Sequence, residues 1–313
     1  MVIAAFSLLA ISFSDPLQEL EASLQALKPE TSWEQRAEVS DKVLASLQSL
    51  VENDTIRLHA DLFRASKILA LVGDREFIHK QARYEMILAA VAGGDVDARK
   101  DLGAAWDELL MGMSRGRRIG AVPSHPGPGM ERFRLQASPK GILEIWLHPE
   151  RAQKKDHVQN HAELQAIVDA DQKARQGDWS KFTQADFLRL AKEDDARLKR
   201  VKALIAKSAA KTGQDFFNAA LVCQHGQTFE DYALAHELSV CGMLFGHQSS
   251  AWLAGASYDR MFSNSGYAQR FATQYSIRGG KTTLSRFEPA WINDSIRKLV
   301  VRVTLQEAQN RKF

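Results

Sequence analysis

Cysteine is nearly absent from this chain: Cys223 and Cys241 are the only two in 313 residues, and their spacing matches no metal-binding pattern. A scaffold stapled by several disulfides is excluded. One bridge or two buried thiols both remain open, because sequence cannot place two Cα atoms within bridging reach. Charge of one sign is also lacking. Lys and Arg number 41 against 38 for Asp and Glu, a net charge of +3, so no positive field gathers nucleic acid or anionic lipid, and no nucleic-acid partner is expected. No apolar run reaches the ~20 residues that a membrane-spanning helix needs. Walker loops, a G-x-S-x-G elbow and a G-x-G-x-x-G turn are missing, and the cofactor is left unknown by the sequence. What is there is the balance of a globular protein, 45% hydrophobic and 25% charged, long enough for two domains of ordinary size.

The N-terminal residues 1–15 open with MVIAAFSLLAISFS, an apolar run of signal-peptide length that lacks an early Lys or Arg. Export and a cytoplasmic location both fit. Behind it, helical signals dominate. Thr31 with Glu34 reads as a capping box for a helix ending near Glu52. Further helices are expected over 55–71, from the Asp74 cap to Gly93-Gly94, and over 96–113. The basic cluster Arg115, Arg117 and Arg118 reads as a solvated helix end. The proline- and glycine-rich stretch 121–130 must be a loop, and residues 133–147, centred on Pro139-Lys140-Gly141, look like a β-hairpin. Helices then follow over 161–175, 184–208, 215–224, 228–245 and 250–262, the fourth opened by Thr228 and Asp231. The stretch KTTLSRFEPAW is expected to be extended before a last helix from Leu305.

Sliding the chain over itself by 152 positions sets residues 77–121 on 229–273 without a gap. Phe77 falls on Phe229, Glu85 on Glu237, Gly94 on Gly246, Arg118 on Arg270, and Gly103-Ala104-Ala105-Trp106-Asp107 on Gly255-Ala256-Ser257-Tyr258-Asp259. The expected fold is therefore mainly α, with two related helical halves, 16–150 and 151–313, each ending in a short hairpin or extended segment. The halves differ in polarity. His225, Arg260, Gln269 and Gln274 stand where the first half has Gly73, Glu108, Arg117 and Val122. Groups needed only to build the scaffold should occur in both copies, so the difference points to a site in the second half.

These residues also carry a resemblance. Asp171-Gln172 with Arg175, then Gln224-His225-Gly226, Asp259-Arg260, and Gln269 with Thr273-Gln274 resemble a bacterial family known only as a domain of unknown function. Its pattern runs D-Q-x-x-R, Q-H-G or Q-H-A, D-R and Q-x-Y-G-T-Q. The resemblance covers residues 160–305 and implies no activity. The family's Tyr-Gly is Phe271-Ala272 here.

Chemically, Asp171 and Arg175 share a helix face, where the carboxylate can orient the guanidinium or simply form an intrahelical ion pair. His225, beside Gly226, is placed to act as a general base or to cap the helix end. Asp259 and Arg260 point about 100° apart and cannot serve one partner. His236-Glu237 begins like a zinc-protease helix, but Val240 occupies the position of the second histidine. Glycines interrupt any common face for His225, His236 and His247, and no metal site is assigned. Two functions follow. One is a hydrolase or transferase for a small anionic substrate, with His225, Asp171 and Asp259 catalytic and Gln172, Arg175, Arg260, Gln269 and Gln274 binding; a peptide ligand would also fit. The other is a binding or scaffold module in which the same groups form a buried, satisfied network.

Overall fold

The computed structural model describes residues 15–73, 76–122, 137–152, 158–176, 181–278 and 281–311. The N-terminal apolar run, Asp74 and most of the 121–130 loop lie outside them. Among the described residues the chain is mainly α-helical, with one two-stranded hairpin. Helices α1 (Pro16–Gln25), α2 (Trp33–Glu52), α3 (His59–Val72), α4 (Phe77–Ala92), α5 (Leu102–Gly112) and α6 (Lys140–Leu147) build the first half. The second half consists of α7 (Ala162–Ala174), α8 (Gln184–Ala206), α9 (Gly213–Cys223), α10 (Phe229–Leu244), α11 (Ser250–Asn264) and α12 (Asp294–Val301). Strands β1 (Tyr275–Arg278) and β2 (Lys281–Leu284) pair antiparallel after α11, and α13 (Leu305–Gln309) ends the described chain. No described helix is long and apolar enough to cross a membrane.

The expected boundaries hold where caps are explicit. Thr228 and Asp231 form a reciprocal capping box, and Gly73 stops α3 at φ 77°. The α2 cap is Ser32 rather than Thr31. Short α1 and α12 lie outside the expected set. One expectation is overturned: residues 140–147 are a helix, not the second arm of a hairpin. Pro139 is its N-cap, and Ile142, Ile145 and Trp146 are buried, a three- and four-residue spacing that suits a helix packed on a neighbour better than a strand.

Helices α4 and α10 form the centre. Each has sixteen residues and begins at one of the paired phenylalanines; α4 is buried throughout 84–91 and α10 throughout 231–242. A helix apolar or satisfied on every side belongs in a core. Segments 77–121 and 229–273 agree in backbone conformation at several points. Left-handed backbone positions coincide at the 152-residue shift: Gly94 with Gly246, Ser114 with Gly266, and Gly120 with Ala272. The packing is reciprocal, since α6 of the first half lies on α10 of the second and α12 of the second lies on α4 of the first.

Two buried ion pairs cross between the halves at matching positions. Glu237 accepts from Arg118 Nε at 2.5 Å and Nη2 at 2.9 Å, and also from Trp106 Nε1 and Ser138 Oγ. Glu85 accepts from Arg270 Nε at 2.8 Å and Nη2 at 2.9 Å, and from Tyr258 Oη at 3.0 Å. Arg118 is thus not part of a solvated helix end. The residue is 5% exposed, because a bidentate carboxylate compensates the loss of water. Arg115 lies over the Phe229 ring, and Arg117 donates to the Val122 carbonyl.

Tyr84 and His236, 152 residues apart, meet between these pairs at 2.5 Å. His236 Nδ1 donates to the Ala254 carbonyl at 2.8 Å, so Nε2 is the acceptor and Tyr84 the donor. Burial pulls the His236 imidazole down to about 4, against the Ala254 bond and the Glu237 charge. Between that value and the ordinary one, near 6.5, the unfolded chain binds a proton that the folded chain refuses. Stability therefore falls as pH drops through this window, by about 3 kcal/mol in all. Urea midpoints at pH 7 and pH 4.5 should show this loss in the wild type and a smaller one in His236→Gln, which keeps a donor and an acceptor without the proton; equal losses would refute the assignment.

Candidate functional site

The motif residues come from four chain segments that hydrogen bonds link into one continuous set. The last turn of α7 carries Asp171, and Arg175 is the C-cap that follows it, joined to Asp171 at 2.9 Å. Asp171 is fully buried. Its Oδ1 also accepts from His225 Nδ1 at 3.1 Å, its Oδ2 accepts from Gln172 Nε2 at 2.8 Å, and Arg197 of α8 lies 3.6 Å away. Burial pushes the Asp171 carboxyl up, but the hydrogen bond and charge of His225, the charge of Arg175 and the Gln172 amide outweigh it and hold it below its ordinary value. As an anion it can only accept, so the proton between the two groups resides on His225 Nδ1, and in the neutral ring the lone pair falls at Nε2.

His225 reaches this place because α9 ends at Cys223 and the chain turns at Gln224-His225-Gly226. Asp231 holds the turn, accepting from the Gln227 and Thr228 amides and from Lys202. A Cβ on Gly226 would stand 2.3 Å from Asp231 Cβ, so the third residue of the motif is glycine for lack of space. The imidazole turns to Asp171 instead of capping the last carbonyls of α9. Its side chain is 16% exposed and that of Arg175 17%, while Gln172 is exposed at the rim.

Arg260 of α11 adjoins this group. Its Nη1 donates to the Gln224 carbonyl at 2.7 Å and its Nε to Gln274 Oε1 at 3.1 Å. Both partners are neutral, and among the described residues no carboxylate pairs with Arg260. Burial, together with the charge of Arg175, pulls its guanidinium below the ordinary value, while Tyr232 acts in the opposite sense. The first half is built differently here. Glu108 stands at the matching position and pairs with Arg83, and the position matching Arg83 in the second half is Ala235.

Three expected site residues take other duties. Asp259 does not orient His225. Its Oδ1 accepts from the Arg270 amide at 2.7 Å and the Phe271 amide at 2.9 Å, and its Oδ2 accepts from Thr273 N and Oγ1. Asp107 does the same for the Arg118, Ile119 and Ala121 amides. A carboxylate that holds the equivalent loop in both halves is a fold element. Gln269 and Gln274 are likewise spent on the protein: Gln269 bridges the Gln274 and Ser285 backbones, and Gln274 Nε2 donates to Ala256 O and Thr273 Oγ1. They position Arg260 and leave no amide for a ligand. Ala272, where the resembled family has glycine, takes φ 62°, a left-handed shape that costs a non-glycine residue about 1–2 kcal/mol; Asp259 imposes it by fixing the amides on both sides.

Sequence reasoning missed Arg197 and Asp194 of α8. Asp194 accepts from Arg175 Nη2 at 2.7 Å and Arg197 Nη2 at 2.8 Å, which fixes Arg175 from both ends. Nothing marked these two among the many charges of an exposed helix. His236 and His247 go elsewhere, the latter to Ser250 and Gln214. Both cysteines are free and buried, and burial pushes the Cys223 thiol up to about 12, so it is no thiolate at neutral pH. A cleft of about 750 Å³ beside Phe216 and Phe245 and one of about 500 Å³ beside Asn293 contain none of the motif residues. No protein-family model, curated protein or solved structure matches the chain.

Proposed function

We propose that the second half carries the active site of a hydrolase or transferase for a small anionic substrate. Arg260 and Arg175 hold the anionic group, His225 is the acid or base, Asp171 orients it, and Gln172 contacts the substrate at the rim. The observation that carries this reading is Arg260. A partly buried guanidinium favours a counter-charge, and among the described residues Arg260 has two neutral oxygens as partners and no carboxylate. The matching position in the first half is a compensated Glu108–Arg83 pair, so the scaffold does not require the bare charge. The reading takes the halves as copies of one ancestral unit, of which the second kept or gained the site. A satisfied scaffold network describes Asp259, Gln269 and Gln274 well, but not Arg260.

A ligand that binds only the folded protein stabilises it, by about 2.7 kcal/mol at a hundred times its Kd. Inorganic phosphate, sulfate and small carboxylates are therefore expected to raise the melting temperature saturably, and Arg260→Gln to abolish the rise. If no anion shifts the wild type, or Arg260→Gln keeps the full shift, the proposal is lost.

A further inference from the structure

Resting on that reading of the site, we infer that the substrate is a phosphate ester and that His225 Nε2 is the nucleophile, carrying the phosphoryl group as a covalent intermediate. The first support is the number and direction of the free donors. Arg260 has committed Nε and Nη1 to Gln274 and Gln224, and Arg175 has committed Nη1 and Nη2 to Asp171 and Asp194. Each keeps further N–H groups, among them those on Nη2 of Arg260 and Nε of Arg175, and the two side chains come from different helices, near enough for their charges to act on each other. Two guanidinium charges arriving from separate helices suit a doubly charged, tetrahedral phosphate group better than a singly charged, planar carboxylate.

The second support is the scarcity of nucleophiles. The Cys223 thiol is protonated at neutral pH. Thr273 Oγ1 is engaged with Asp259, and burial raises the Tyr232 phenol despite the nearby Arg260 charge. That leaves His225. Asp171 accepts the Nδ1 hydrogen bond, so in the neutral ring the lone pair is at Nε2, and the same carboxylate stabilises the positive ring that forms when Nε2 bonds to phosphorus.

The step balances without an oxidant or a co-reactant other than water. Nε2 attacks phosphorus, the N–P bond forms and the P–O ester bond breaks. The leaving alkoxide takes a proton from solvent at the rim by Gln172. Water then adds to phosphorus, the N–P bond breaks with its electron pair returning to Nε2, and the second proton of that water goes back to solvent. Ester and water give alcohol and inorganic phosphate. Asp171 and Asp194 are positioning residues, since they act through His225 and Arg175.

Phosphoramidate, a donor that transfers its phosphoryl group to imidazoles with loss of ammonia, tests this on the full chain. Acid-labile addition of a phosphoryl group is followed by mass spectrometry with peptide mapping. His59 and His148, 46% and 49% exposed and each beside a surface carboxylate, report the background reactivity of an exposed imidazole. His225, at 16%, is expected to label at least tenfold faster than either, inorganic phosphate to protect it, and Arg260→Gln to remove the advantage while His59 and His148 label as before. Labelling of His225 at or below the background rate overturns the inference; if phosphate still stabilises the fold through Arg260, the anion site survives and only the covalent role falls. Should Arg260→Gln fail to fold, protection of the wild type by phosphate decides the matter alone.

Discussion

Glu237→Gln is expected to destabilise the protein by about 3–5 kcal/mol, the cost of leaving a buried guanidinium without its partner. The carboxylate receives four donors from the first half and none of its partners is replaceable by water, because Arg118, Trp106 and Ser138 are all buried. Glu85→Gln should cost a similar amount through Arg270. The two effects have one origin, since each pair ties the centre of one half to the loop of the other. Replacing both members, Glu237→Leu with Arg118→Leu, should cost less than Glu237→Gln alone, because no unpaired charge is then buried. Urea denaturation of the single and double variants measures this. A loss below about 1 kcal/mol for Glu237→Gln would show that the pairs contribute nothing net, as exposed ion pairs do.

The next largest effect separates the strut from the site. Asp259→Ala leaves three backbone amides and one hydroxyl without an acceptor, and at about 1 kcal/mol or more for each buried donor the loss should reach about 3 kcal/mol. Asp107→Ala, which orphans three amides in the first half, should cost nearly as much. His225→Ala should cost under about 1 kcal/mol, because Asp171 keeps Arg175 and Gln172 and the imidazole lies at the edge of the body. The same replacement should abolish turnover, as expected of a group whose place in the fold serves a ligand. If His225→Ala unfolds the protein as severely as Asp259→Ala, the second half is a scaffold and the catalytic proposal ends.

Short-range chemistry made much of the fold legible. The Thr228–Asp231 box, the Gly73 stop and the Asp171–Arg175 pair need only three or four residues of context, and the 152-residue repeat needs only the chain compared with itself. Helix 140–147 was misread because a Pro-Lys-Gly turn between apolar stretches has the local form of a hairpin; its buried Ile142, Ile145 and Trp146 acquire meaning only against α10. The sequence by itself determined that the chain is helical and that His225 and Arg260 differ in chemistry from the residues 152 positions earlier, Gly73 and Glu108. Tertiary structure decided what each polar group does. Asp259 and Asp171 are both buried aspartates in one motif set, yet one meets backbone amides and the other an imidazole. Arg118 and Arg260 are both arginines at helix-proximal positions, yet one finds a carboxylate 119 residues away and the other finds none among the described residues. Hydrogen bonding and charge compensation depend on groups brought within about 3 Å, and a chain that folds back on itself sets those distances with no regard to sequence separation.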